Sequence, residues 1–152
     1  MSGTLVRRMA LVERPAESMF DLIEAAEHYP RFLPWCAGAT ILERSDEVVA
    51  ADLRVNWHGL QLEFGTRNPK QRPTHMSIHL VRGPFRRFEG QWRLTALTPQ
   101  ACKVDFELDY AFDGRIAARL ATPVFARIAD TLVDAFVREA LARPAPAEPG
   151  AP

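Results

Sequence analysis

The sequence predicts an α+β fold in which a curved antiparallel sheet of about six to seven strands wraps one long C-terminal helix. Three observations lead there. From about Ala39 to Phe112 apolar residues recur with a period of two, and after Asp113-Gly114 the period becomes 3.6 as far as Arg143. The connections between the alternating runs are short and carry the turn-forming sequences RP, RGP and TPQ. A sheet that alternates is wet on one face and apolar on the other. The apolar face needs a cover, and the terminal helix is the one element long enough to supply it.

TLVRRMALV, Thr4 to Val12, reads as a first strand. A helix begins near Pro15, whose missing N–H costs nothing in a first turn, and Met19, Leu22, Ile23 and Ala26 give it one apolar stripe that Pro30 ends. In EVVAADLRVNW the residues Val49, Ala51, Leu53, Val55 and Trp57 share one side, and after a turn at His58-Gly59 the same device continues through Leu60, Leu62 and Phe64. HMSIHL adds Met76, Ile78 and Leu80, and FEGQWRLTAL adds Phe88, Trp92, Leu94 and Ala96. The clearest run, CKVDFELDYAF, sets Cys102, Val104, Phe106, Leu108, Tyr110 and Phe112 against Lys103, Asp105, Glu107 and Asp109. Gly65 and Gly90 interrupt strands, where glycine marks a bulge or a close backbone approach. In the terminal helix Ile116, Leu120, Val124, Ile128, Leu132 and Phe136, extended by Phe125, Val133 and Val137, form the expected buried stripe, with Pro123 expected to kink or divide it. Residues 1–143 then make one domain, and PAPAEPGAP, residues 144–152, is expected to be a disordered tail.

Composition narrows the class. With 47% hydrophobic and 25% charged residues the chain can build a core without staples. Nineteen basic and nineteen acidic residues cancel, which gives no reason to expect DNA as a partner. Two cysteines, Cys36 and Cys102, without a secretory leader argue for reduced thiols, and no segment is apolar enough to span a bilayer. The expected location is cytoplasmic, with peripheral contact to an inner membrane as a further option.

The candidate site follows from the architecture. Where the helix and a curved sheet do not fully meet, an apolar space opens between them that suits a hydrophobic small molecule. Its expected walls are Val55, Trp57, Phe64, Phe88, Trp92, Phe106, Leu108 and Tyr110 from the strands and Phe125, Ile128 and Leu132 from the helix. The alternative is that these side chains simply pack as core. HYPRFLPWC raises the same choice: Tyr29, Phe32, Leu33 and Trp35, bounded by two prolines, either roof the space as a lid or plug a small core. Catalytic groupings are missing from the sequence pattern. His75 and His79 would stand about 13 Å apart on a strand, too far for one metal ion. There is no G-x-G-x-x-G, no P-loop and no nucleophile-histidine grouping, and Tyr110 and Cys102 are the polar groups expected to face inward. A non-enzymatic protein is the expectation. A separate feature is the run of Arg67, Lys70, Arg72, Arg82, Arg86, Arg87 and Arg93 against Glu89 alone. RGPFRRF places Arg82, Arg86 and Arg87 around a hairpin with Phe85 at its tip, a surface that could meet RNA phosphates or anionic lipid.

YPRFLPWC, GPFRRFEGQWRLTAL, ACKVDFELDYAF and VFARIADTLVDAFVREA, in that order, resemble the coenzyme Q-binding protein and RatA toxin family of START-like domains, within the polyketide cyclase/dehydrase superfamily. The resemblance runs from about Met9 to Ala140. It implies the helix-grip fold and a hydrophobic tunnel. It also implies one of two functions. Some members bind ubiquinone or another isoprenoid lipid, with no covalent cofactor, and act as lipid chaperones in respiration; a bacterial branch binds the large ribosomal subunit and blocks subunit association. Without a mitochondrial targeting segment, this chain is similar to the bacterial type. The matching positions are Tyr29, Phe32, Leu33, Pro34 and Trp35 of the loop, where Trp35 replaces the glycine of some relatives, and Gly83, Pro84, Phe85 and Trp92 of the hairpin. The cyclase/dehydrase label implies an enzyme, but no residue pattern in this chain supports one.

Overall fold

The computed structural model describes residues 3–145. Its elements are β1 (Thr4–Val12), α1 (Ala16–Glu24), a 3-10 turn (Ala26–Arg31), β2 (Cys36–Arg44), β3 (Val48–Trp57), β4 (Leu60–Gln71), β5 (His75–Arg82), β6 (Phe85–Thr98), β7 (Ala101–Phe112) and α2 (Arg115–Ala142). The strands form one antiparallel sheet in the order β1-β7-β6-β5-β4-β3-β2. From β2 to β7 the chain is a meander, and β1 closes back onto β7. α1 and the 3-10 turn carry the chain from one edge of the sheet to the other. This is the expected helix-grip, START-like architecture.

The elements arise where the periods change, with informative exceptions. Pro15 sits at the N-cap of α1 rather than inside it, and its carbonyl accepts from the Met19 N–H at 3.1 Å. The helix ends at Glu24, and Pro30 lies inside the 3-10 turn that follows. α2 runs through Pro123 as one helix of 28 residues. Its buried face is Ala121, Phe125, Ile128, Ala129, Val133, Phe136 and Ala140, whereas Leu120 is 74% exposed. The expected stripe fails there for a geometric reason: successive i+4 steps drift by about 40° each, so a long chain of them winds around the helix. Residues 146–152 of the Pro-rich tail lie outside the described residues; Pro144 and Ala145 are exposed beyond the end of α2.

Both strand glycines mark tight approaches. A Cβ at Gly90 would stand 2.4 Å from the Glu107 carbonyl oxygen, and one at Gly65 would stand 2.4 Å from Asp52 Oδ1. Gly65 also borders a register shift between β4 and β5. The two sheet edges differ. β2 pairs with β3 through two register shifts, whereas β1 pairs with β7 without a break from Thr4 to Val12. Cys36 and Cys102 are free and buried. Among the described residues no helix is long and apolar enough to cross a membrane.

Much of the basic run is neutralised. Arg67 bonds Glu43, Arg72 bonds Asp21 through two nitrogens, Arg82 reaches Asp52 at 2.5 Å and Arg87 reaches Asp109 at 3.2 Å. Carboxylates on other strands and on α1 thus interleave with arginines that look clustered in sequence. The Phe85 side chain does not project from the hairpin: it is 6% exposed, stacked on Phe112 at 4.6 Å. Gly83 and Pro84 make the tip between β5 and β6.

Candidate functional site: a cavity between two aromatic clusters

Rings from one end of the sheet converge on Phe125 of α2. Phe64, Phe85, Phe88, Tyr110 and Phe112 lie 6.5, 5.4, 6.2, 4.9 and 5.6 Å from it, centroid to centroid. Eleven residues later, about 16 Å along the helix axis, Phe136 gathers a second cluster: Tyr29, Phe32 and Trp92 at 5.3, 5.4 and 5.3 Å. Between the clusters α2 presents Ile128, Ala129 and Leu132, and the small Ala129 leaves the wall recessed. The result is a cavity of about 100 Å³. The hydrophobic tunnel implied by the resemblance is represented by this short cavity.

Ten of the expected wall and lid residues line it: Tyr29, Trp35, Phe64, Phe88, Trp92, Phe106, Leu108, Phe125, Ile128 and Leu132. Five do not. Leu33 is 1% exposed in the turn behind Trp35, and Phe32 packs on the outer side of the Tyr29–Phe136 pair. Val55 and Trp57 lie on the correct face of β3 but near its turn, past the end of the cavity, where the Arg127 guanidinium stacks over Trp57 at 5.1 Å. Tyr110 is buried at the Phe125 cluster, away from the cavity. Alternation fixes the face a side chain occupies; it does not fix how far along the strand a cavity extends.

The loop that opens toward β2 is turned inward. Tyr29 donates its hydroxyl to the Ile23 carbonyl, and Trp35 is 6% exposed. Burial pushes the Tyr29 phenol well above its ordinary pKa, with smaller contributions from Cys36, Glu24 and Glu27, so it stays neutral. Burial likewise raises the Cys102 thiol to about 11 and raises Cys36.

One wall of the cavity is polar. The inward face of β4 reads Leu60, Leu62, Phe64, Thr66, Asn68 and Lys70, a progression from apolar to charged on alternate residues. Thr66 is 7% exposed, and Thr66 and Asn68 both line the cavity. The Asn68 amide nitrogen faces the Met76 sulfur at 3.8 Å, and Asn68 Oδ1 is buried with no hydrogen-bond partner among the described residues. Beside them stands Glu24, which accepts from Arg44 Nε at 2.5 Å and lies 3.7 Å from the buried Lys70 ammonium. Arg44 also holds both carboxylate oxygens of Glu27 at 2.8 Å, a fork that keeps the Glu27 carboxyl below its ordinary pKa. Thr66 and Asn68 were missed in the sequence. The signal was the alternation itself, continued through Gly65 into TRNPK.

A seven-stranded antiparallel sheet closed by a C-terminal helix over an apolar cavity defines a helix-grip, START-like protein. A family profile described as "Polyketide cyclase / dehydrase and lipid transport" matches residues 12–137, and the chain belongs to that family. It is similar to the Ribosome association toxin RatA of Pseudomonas aeruginosa, 36% identical over 91% of this chain and 96% of that protein. A protein of the same name from Escherichia coli K12 is 35% identical over 86% of this chain and 83% of that one. More distant is the mitochondrial Coenzyme Q-binding protein COQ10 homolog B of Xenopus laevis, 24% identical over 82% of this chain and 52% of that protein. Among solved structures, the Zhui aromatase/cyclase of Streptomyces superposes with a TM-score of 0.80 at 17% identity, covering 93% of this chain and 96% of that one. A START superfamily protein of Mycobacterium smegmatis gives 0.76 at 19% identity, covering 91% and 97%. These structural likenesses establish the fold.

Proposed function

We propose that the chain is a non-enzymatic binding protein that takes the head of a hydrophobic ligand, an isoprenoid quinone such as ubiquinone in the first instance, into the cavity between sheet and α2. In this reading it serves respiratory electron transport as a lipid chaperone that loads at the inner membrane surface from the cytoplasmic side. The observation that carries the reading is the cavity itself, lined by aromatic and aliphatic side chains with one short polar wall. The coenzyme Q-binding relative supports the ligand class. A non-enzymatic role is supported by the state of the polar groups: the Tyr29 hydroxyl is bonded to Ile23, and Glu24 is held by Arg44 and Lys70. Neither is placed to act as a general acid or base.

Size sets a condition on loading. A cavity of roughly 150 Å³ takes up benzene, so the 100 Å³ seen here is short of one free ring. Ligand entry in this reading therefore displaces Tyr29 from its contact with Phe136 of α2. Two of the three tryptophans, Trp35 and Trp92, line the cavity, so titration with decylubiquinone should quench tryptophan emission, and lipid extraction of purified protein should return a quinone. Unquenched emission together with lipid-free extracts would sink the reading.

Ribosome association is a second reading, favoured by the RatA relatives at 35–36% identity. It would use the outer surface, including the β5–β6 hairpin, and leave the cavity free for a ligand. Co-sedimentation with large ribosomal subunits, weakened by Arg86→Glu with Arg87→Glu and by added salt, is the expected result. Sedimentation unchanged by the double substitution would exclude the hairpin as the contact.

A further inference from the structure

Resting on the ligand-binding reading above, the geometry points to Asn68 as the residue that selects the ligand, and to a neutral oxygen, carbonyl or hydroxyl, as the group it selects. We propose that a head group of this kind binds here in preference to an ionised carboxylate.

The first argument is hydrogen bonding. A buried amide oxygen without a partner is costly, and buried polar atoms are nearly always satisfied. Asn68 Oδ1 is such an atom, in a residue that lines the cavity, and among the described residues its nitrogen meets a thioether sulfur at 3.8 Å. A ligand oxygen placed against Asn68 would complete it. Turning the amide over by 180° presents NH2 in place of oxygen, so the same side chain serves a hydroxyl donor or a carbonyl acceptor. Thr66, two residues earlier on the same face, lines the cavity beside it.

The second argument is charge. The corner next to Asn68 holds Glu24, Glu27, Arg44 and Lys70, and every charge is taken: Arg44 bridges both glutamates, and Lys70 faces Glu24. Two carboxylates and two cations sum to zero. A fatty-acid carboxylate entering beside Asn68 would bring a third negative charge to a corner where, among the described residues, both cations are already engaged by Glu24 and Glu27. A neutral oxygenated head meets no such penalty.

The test uses the full-length protein and ligand pairs of matched chain length, with binding read by tryptophan emission and calorimetry. Decylubiquinone should bind at least tenfold more tightly than decylbenzene, which has no oxygen, and more tightly than decanoate at pH 8. Asn68→Leu should weaken decylubiquinone roughly tenfold, about the worth of one hydrogen bond in a dry site. It should bind decylbenzene at least as tightly as wild type and keep the fold, because it removes an unsatisfied polar group. Equal binding of decylubiquinone and decylbenzene by the wild-type protein would overturn the proposal while leaving the cavity reading intact, and this comparison does not depend on the variant folding. Preference for decanoate, or an Asn68→Leu variant that binds decylubiquinone as well as wild type, would also overturn it. Failure to bind any of the three would overturn the ligand-binding reading and this proposal with it.

Discussion

The two ends of the interior are built from similar side chains to different effect. Around Phe125 five rings close on one another, and of this cluster Phe64, Phe88 and Phe125 border the cavity from one side. Around Phe136 the packing stops short, and the gap is bordered by Thr66, Asn68 and Glu24. Dense aromatic packing maximises dispersion contact and apolar burial, so the Phe125 end stabilises the fold. The other end gives up contacts and accepts an unsatisfied amide, a local loss that the first end offsets. In the proposed reading the ligand sits where the core is left incomplete.

The sharpest way to break the comparison is Phe125→Ala. Truncating the hub of the filled end should cost about 3–5 kcal/mol, read from urea unfolding followed by circular dichroism. A loss under about 1 kcal/mol would show that the cluster is not the stabilising end. Filling the other end should do the reverse. Ala129→Leu puts three carbons into the recess of α2 and should raise stability by about 0.5–1 kcal/mol while abolishing quenching by decylubiquinone. If that variant bound normally, the ligand would have to lie elsewhere.

Smaller effects test the polar corner. The Glu27 carboxyl is held low in the folded protein by the Arg44 fork. Its contribution is therefore present above the ordinary glutamate range and is lost as pH falls through the lowered value. Arg44→Gln should flatten the acid limb of stability against pH, by no more than a few tenths of a kcal/mol because both groups are partly exposed. The two thiols give the smallest signal. With Cys102 raised to about 11 and Cys36 also raised, neither should react with a disulfide reagent at pH 8 in the native state, and both should react in urea.

Much of the fold was legible because alternation and helical period are local. Val104, Phe106 and Leu108 had to face one way once CKVDFELDYAF was extended, and the cover had to be α2. Three features were not local. Whether Tyr110 borders a cavity or Phe125 depends on depth along β7, which has no periodic signature. Whether Arg82 and Arg87 are free cations depends on Asp52 and Asp109, which register brings across from other strands. And Phe85, adjacent to a turn, is drawn inward because Phe112 and Phe125 offer it a place. Thr66 and Asn68 were readable in principle, since the same alternation that places Phe64 inward places them inward too.

α2 holds Phe125 and Phe136 at a fixed spacing, and Ala129 falls between them. Because a helix is stiff along its axis, the separation of the two ring clusters is a constant of the scaffold, while the room between them is tuned by the smallest of the intervening residues. Descendants of such a scaffold could therefore exchange guests of different girth by substituting a single residue, with neither anchoring cluster disturbed. A frame of this kind lends itself to diversification.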